Sequence, residues 1–344
     1  MTPLDYDYLR RCLKERSGLV LAADKQYLVE SRLLPIARKA DFASLGDLVQ
    51  ALRAGQDGPL MTAVVEAMTT NESFFFRDKI PFDYFRTIIM PALLEARRST
   101  RTIRIWCAAA STGQEPYSLV MCLKAMESEI AGWRIEVLAT DLSSDVLEKA
   151  RQGLYSQFEV QRGLPIQLLL KHFTQVGELW QIASDIRAQV RYRQFNLLSD
   201  FVQLGQFDVI FCRNVLIYFD QQTKVDVLNR LARITAGDGY LVLGAAETVV
   251  GLVESFKVAG EARRPRQRDK TEPTPCCHQR QALSRQTKAP PFPTEFCTLG
   301  PKSLKREFSP RRRTARATHS RGPRPSRCSS CRLTRWRASC AACR

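Results

Sequence analysis

The 344 residues predict an α/β fold: a mostly parallel sheet covered by helices on both faces, preceded by a small all-helical domain. Three observations predict it. Short apolar runs at 103–107, 135–139, 190–195, 207–212 and 240–245 alternate with helical stretches, the pattern of a parallel sheet with covered faces. Polar residues stand at the carboxyl ends of those runs: Thr140-Asp141, Asn196 and Arg213-Asn214. Ligands of open α/β sheets bind beyond that edge. Before residue 70, apolar residues recur at helical spacing instead.

The length suffices for two domains with cores of their own. No apolar run reaches the roughly 18 residues of a membrane span. The start, MTPLDYDYLRR, carries acids and no apolar signal core, so the expected location is the cytoplasm. The net charge of +17 would ordinarily point to nucleic acid. However, of 52 Lys+Arg and 35 Asp+Glu, 22 and 5 lie from Glu261 onward, which leaves residues 1–260 neutral. The body therefore has no basic signature. Its four cysteines include Cys107 and Cys212 inside apolar runs, where a thiol packs as a small hydrophobe.

Residues 1–70 form the helical domain. Tyr6, Leu9, Leu13, then Leu45, Leu48, Leu52, then Leu60, Val64, Met68 keep helical spacing. Breaks at Gly18, Pro35, Gly55 and Gly58-Pro59 cut the stretch into about four helices. Arg10, Arg11, Lys14, Arg16, Arg32, Arg38 and Lys39 make it locally basic, either as a solvated face or as a docking face for an acidic helix. Residues 71–98 make the linker and a connecting helix. In TTNESFFFRD (69–78) three phenylalanines predict burial between domains, and Asn71, Ser73 and Arg77 bring polar groups there. Buried polar groups need partners, supplied by a ligand or by helix capping and an ion pair. Phe82, Phe85, Ile88, Ile89 and Leu93 then share one face of a helix over 81–97. The α/β domain spans 99–260. Within it a small β subdomain, about 155–192, holds a helix at 164–173 and strands at 179–182 and 190–192 readable as a hairpin. A Gly237-Asp238-Gly239 turn precedes the fifth strand.

The loop after the first strand, AAASTGQEP (108–116), selects the ligand. It has one glycine, not the G-x-G-x-x-G of dinucleotide sites. Glu115 sits where a helix start would otherwise welcome phosphate, so the loop disfavours an anion and favours a cation or amine. Asp141, 28 residues after Gly113, fits a ribose-binding acid; the alternative is a cap for the helix that follows. A ribose ligand with positive charge and no phosphate points to S-adenosylmethionine.

At this point the chain resembles the chemotaxis receptor methyltransferases, the CheR-type glutamate O-methyltransferases. TTNESFFFRD, ASTGQEPYSL, ATDLSSDVLEKAR, FNLL and FDVIFCRNVLIYF carry the resemblance, in one order, from about residue 5 to 258. It implies a Rossmann-like S-adenosylmethionine-dependent methyltransferase sheet behind a helical domain. It also implies that Asn71, Ser73 and Arg77 contact the cofactor from the linker, Ser73 standing where threonine is common. Glu115 would hold the methionine ammonium or nearby polar groups, and Asp141 the ribose. Asn196 and Leu197 would flank the adenine, and Arg213 and Asn214 line the methionine end. Arg77 and Tyr218 are implied nearest the transferred methyl; a core aromatic is the other reading of Tyr218.

Such chemistry needs no metal and no general base. A glutamate acceptor, with an ordinary pKa of about 4.3, is already ionised. The enzyme's work is positioning, for which an arginine fork on the carboxylate is suited. The implied partners are the helical cytoplasmic bundles of methyl-accepting chemoreceptors, which gives the basic face of residues 10–39 a docking role. Some relatives also grip a receptor C-terminal peptide on the β subdomain; the short turn at 174–178 argues against that here.

From 261 to 344 the chain departs from the family. The tail is rich in Arg, Pro, Ser, Thr and Cys without helical or strand period, which reads as disorder. Its C-x-x-C pairs, 328/331 and 340/343, are too closely spaced for a usual zinc ribbon. The abrupt change predicts a reading-frame shift near codon 259 and a sheet short of its last strand. The competing functions are a catalytically silent cofactor-binding or docking protein, a nucleic-acid methyltransferase and a dehydrogenase. The missing Asn/Asp-Pro-Pro-aromatic motif disfavours the second, and the missing glycines the third.

Overall fold

The structure, a computed structural model, describes residues 1–55, 58–259 and 262–265. The tail readings (disorder, C-x-x-C pairs, frame shift) lie outside the described residues. Four helices open the chain: α1 (Pro3–Ser17), α2 (Gln26–Lys39), α3 (Leu45–Arg53) and α4 (Gly58–Met68). Thr2 and Asp5 cap α1 reciprocally. The three apolar triplets named above are all buried in one core. Pro35 does not break the chain as expected; it sits inside α2 on an exposed position. One lost backbone bond is outweighed by the buried face of Val29, Leu33 and Ala37.

The connecting helix is not continuous. α5 (Ile80–Tyr84) and α6 (Met90–Ala96) are joined by a π-turn over Phe85–Ile89. The extra residue rotates the face, so Phe82, Phe85, Ile89, Met90 and Leu93 are buried and Ile88 is exposed.

Then come β1 (Thr102–Ala108), α7 (Gln114–Ala125), β2 (Arg134–Asp141) and α8 (Ser144–Gln152). α7 starts two residues before the expected proline. A small excursion follows: β3 (Leu154–Ser156), α9 (Gln157–Gln161), α10 (Ile166–His172), β4 (Phe173–Val176), β5 (Leu179–Ile182) and α11 (Ser184–Arg187). Its three strands run in the order β3-β5-β4. The expected hairpin of 179–182 with 190–192 is thus replaced by β4-β5, since the second segment belongs to β6 (Val190–Gln194), parallel to β2 in the main sheet. β7 (Phe207–Cys212), α12 (Gln221–Ile234) and β8 (Thr235–Leu243) complete the parallel part. β8 runs through the expected Gly237-Asp238-Gly239 turn, with a register shift against β7 at Phe207/Val209. β9 (Phe256–Ala259) and β10 (Ala262–Pro265) finish the sheet, β10 antiparallel between β8 and β9. The expected loss of the last strand is therefore corrected.

The order β6-β2-β1-β7-β8-β10-β9 reverses at β1. The crevice beyond the carboxyl ends of β1 and β7 is the switch point where such sheets bind ligands. The helical domain reaches that edge. Gly18, at the left-handed φ of 78°, presses on Phe219, whose ring a Cβ there would meet at 2.8 Å. Val20 N–H donates to the Tyr218 carbonyl (3.0 Å), and Lys14 pairs with Asp220 (2.6 Å), the cap of α12.

The Lys14 ammonium first, then the Thr223 side chain and N–H, hold the Asp220 carboxyl well below its ordinary 3.8. A depressed acid stabilises above its unfolded value and loses that contribution as pH falls. Asp220→Asn keeps a capping side chain but not the ion pair. The melting-point gap between wild type and Asp220→Asn should be complete at neutral pH and close as pH falls below about 3.8.

Candidate functional site

A cavity opens over the switch point, about 960 Å³ including the open volume at its mouth. Its lining comes from the end of α1, the linker, and the loops after β1, β2, β6 and β7. Asn71, Ser73, Arg77, Glu115, Asp141, Asn196, Leu197, Arg213, Asn214 and Tyr218 all line it.

The loop after β1 is held in an unusual shape. Ala109 (φ 61°) and Ser111 (φ 51°) lie in the left-handed region, as do Phe76, Asp78 and Lys79 in the linker and Asn214 after β7. Non-glycine residues there cost about 1–3 kcal/mol each and gather at functional sites. Ser111 is the tie: its N–H donates to Asp141 Oδ2 (2.8 Å), and its Oγ donates to the Asn71 carbonyl (2.8 Å). Tyr155 OH donates to the Thr112 carbonyl (2.8 Å), and Trp106 Nε1 to Thr140 Oγ1 (3.0 Å). Loop, linker and β2 end are thus tied together.

Asp141 is buried at the end of β2, and its Oδ1 accepts from Ser143 N–H (3.0 Å). The cap of α8 is Ser143, not Asp141, so the capping alternative for Asp141 falls away. Burial pushes its carboxyl up, against the N–H donors of Ser143 and Ser111.

Glu115, in the first turn of α7, is also pushed up by burial, while Arg213 holds it down. Arg213 Nη1 donates to Glu115 Oε2 (2.7 Å), and its Nη2 donates to Asp78 Oδ2 (2.8 Å) and the Arg77 carbonyl (2.9 Å). At 1% side-chain exposure this guanidinium is a buried hub that fixes the linker on the sheet; its Nε finds no partner.

Arg77 itself spends Nη1 on the Glu72 carbonyl (2.8 Å) and lies against the Phe74 ring. Asn196 donates to the Arg16 carbonyl (2.6 Å) and accepts from Leu198 N–H (2.9 Å), while the Leu197 carbonyl takes Arg230 (2.8 Å). Tyr218 ends a 3₁₀ turn (Leu216–Tyr218) after the Arg213-Asn214 corner.

Sequence reasoning missed Glu247. Its buried carboxylate accepts four backbone N–H groups: Asn214 (2.8 Å) and Gly244 (2.8 Å) on Oε2, Val215 (2.9 Å) and Leu216 (2.8 Å) on Oε1. The corner that carries Arg213, Asn214 and Tyr218 is wound around it. Arg32 was assigned to a basic surface; instead it donates to the Met68 (2.8 Å) and Thr69 (3.0 Å) carbonyls and so anchors the start of the linker. Arg10 and Lys14 are engaged within the chain as well, Lys14 while still exposed, and Arg11, Arg16, Arg38 and Lys39 are the other exposed basic residues of that face.

Two acids, buried Asp141 and half-buried Glu115, no cradle of glycines and a helix start closed by Glu115 make a site for hydroxyls and positive charge. S-adenosylmethionine offers both.

Comparison with known proteins agrees. The model of the CheR methyltransferase SAM-binding domain matches residues 71–264, six beyond the end read from sequence, and that of the CheR all-alpha domain matches 4–69. The chemotaxis protein methyltransferase Cher2 of Pseudomonas putida is 39% identical over 259 residues, 74% of this chain and 94% of that one. Chemotaxis protein methyltransferase 1 of Pseudomonas aeruginosa is 40% identical over 258 residues (74% and 93%), and the Vibrio parahaemolyticus protein 39% over 257 (74% and 92%).

Proposed function

Since the chain belongs to the CheR methyltransferase family, we propose that it methylates glutamate side chains on the cytoplasmic helical bundles of chemoreceptors, leaving methyl esters. S-adenosylmethionine-dependent methylation in chemotaxis is the family's activity; the acceptor and the residue roles are our reading. The observation that carries it is one cavity that gathers two acids, buried Asp141 and half-buried Glu115, with Arg77 and Tyr218.

Bound S-adenosylmethionine supplies an electrophilic methyl group on a sulfonium. Asp141 is suited to the ribose hydroxyls, with Asn196 and Leu197 beside the adenine. Glu115, paired with Arg213, suits the amino-acid end, and Asn71, Ser73 and Asn214 offer further polar contacts. Arg77 is suited to orient the acceptor: Arg213 is committed to Glu115 and Asp78, whereas Arg77 spends one donor on Glu72. Tyr218 would help fix the acceptor or the methyl. A carboxylate acceptor needs no deprotonation at neutral pH. The acceptor sits at the cytoplasmic side of the membrane, and among the described residues no helix of the enzyme is long and apolar enough to cross one. Arg11, Arg16, Arg38 and Lys39 form the basic face that acidic receptor helices would meet.

Receptor membranes incubated with the protein and methyl-labelled S-adenosylmethionine should acquire label that alkali releases as methanol. Asp141→Ala should reduce that transfer at least tenfold at limiting cofactor, the size of a lost charge-assisted hydrogen bond. Label absent from receptors, or stable to base, rules the reading out.

A further inference from the structure

One contact at the edge of the cavity is used by none of the roles above. Glu72 lies in the linker, among the lining residues, and its carboxylate is bound by Arg162 of the small β excursion (Nη2 to Oε1, 2.5 Å). Its carbonyl takes Arg77. Arg162 lies 4.4 Å from the centre of the Phe74 ring and Arg77 lies 5.4 Å from the same ring. Two guanidiniums and one glutamate carboxylate therefore meet at a single aromatic side chain.

The position of Arg162 is built. Gly163 beside it has φ 85°, and a Cβ there would stand 2.1 Å from the Phe75 carbonyl oxygen. The turn after α9 is thus pressed against the linker backbone, which fixes Arg162 over Phe74. The ion pair itself is open, with side-chain exposures of 40% for Arg162 and 54% for Glu72. Pairs this exposed contribute little to stability, so a carboxylate from outside can replace Glu72 at small cost.

Taking the acceptor to be a receptor glutamate, as proposed above, we infer that Arg162 is a second carboxylate-binding residue for the acceptor and that Glu72 is its built-in competitor. An acid near the methylated glutamate takes the place of Glu72 at Arg162, while Arg77 serves the methylated one. Acids three or four residues apart on a helix share a face, which suits two guanidiniums gathered at one ring. Arg162 acts as a specificity-determining residue for acidic acceptor helices, and Glu72 sets the threshold that an acceptor must exceed.

The test is steady-state methylation of receptor membranes by the full chain, with cofactor affinity measured separately by calorimetry. Arg162→Gln should raise the acceptor KM about three- to tenfold without changing cofactor Kd. Glu72→Gln should lower the acceptor KM two- to fivefold, and the double variant should behave as Arg162→Gln alone. A merely structural ion pair would give the opposite sign or no change for Glu72→Gln, and that result overturns the inference while leaving the methyltransferase reading intact. Wild-type protein that binds cofactor yet labels no receptor overturns both.

Discussion

Glu247→Ala should lower the melting temperature by roughly 10 °C and weaken S-adenosylmethionine binding at least tenfold. The single carboxylate satisfies four backbone donors, from Asn214, Val215, Leu216 and Gly244. Alanine leaves them without acceptors in a buried place, at about 1–3 kcal/mol for each donor that water does not reach. With partial hydration the total should be about 3–5 kcal/mol, and each kcal/mol is worth about 2–4 °C in a protein of this size. The binding effect has a separate cause. Asn214 is held in the left-handed region, and the turn that follows presents Tyr218 to the cavity. Without the carboxylate the corner relaxes, and Arg213 loses its aim at Glu115. Glu247→Gln can serve at most two of the four donors through its one oxygen, so it should fall between. Scanning calorimetry and titration calorimetry measure the two effects independently; a stable Glu247→Ala protein with native affinity would contradict the argument.

Gly163→Ala should be nearly as costly, about 2–5 kcal/mol. The new methyl would overlap the Phe75 carbonyl oxygen; overpacking costs about 1–3 kcal/mol, and a left-handed alanine adds about 1–2. Backbone on both sides prevents easy relief. The small excursion should lift from the linker, taking Arg162 off Phe74, so chemical denaturation would show a lower midpoint. The surviving folded enzyme should show a raised acceptor KM. Alanine at Gly177, around which nothing lies within 4 Å although its φ is also positive, should cost only the conformational part.

The contrast between Glu247 and the residues legible in the sequence is instructive. Asp141, Asn196, Arg213 and Asn214 could be read because each follows an apolar run directly, and topology places strand ends together. Glu115 was legible by position within a helix start. Glu247 follows β8 in an unpatterned stretch, AAETVV, and three of its four partners are backbone groups some thirty residues earlier, which no side-chain spacing reveals. Arg32 misled for a related reason: sequence displays a charge but not the carbonyls that take it. The β4-β5 pairing was missed because strands of four residues carry too little alternation to choose a partner. Phase errors came from backbone insertions, the π-turn at Phe85–Ile89 and the register shift in β8, which leave no mark on composition.

The wall that α1 contributes has a thermodynamic corollary. Ser17 and Leu19 line the cavity, Gly18 seats on Phe219 and Val20 is bonded to Tyr218. Occupancy of the cavity and docking of the helical domain are therefore linked equilibria, and linkage is reciprocal. On the function proposed above, a receptor helix that tightened this seat would raise affinity for the methyl donor by the same factor that the donor raised affinity for the receptor. The enzyme would then load its two substrates cooperatively, with the short segment after α1 as the coupling.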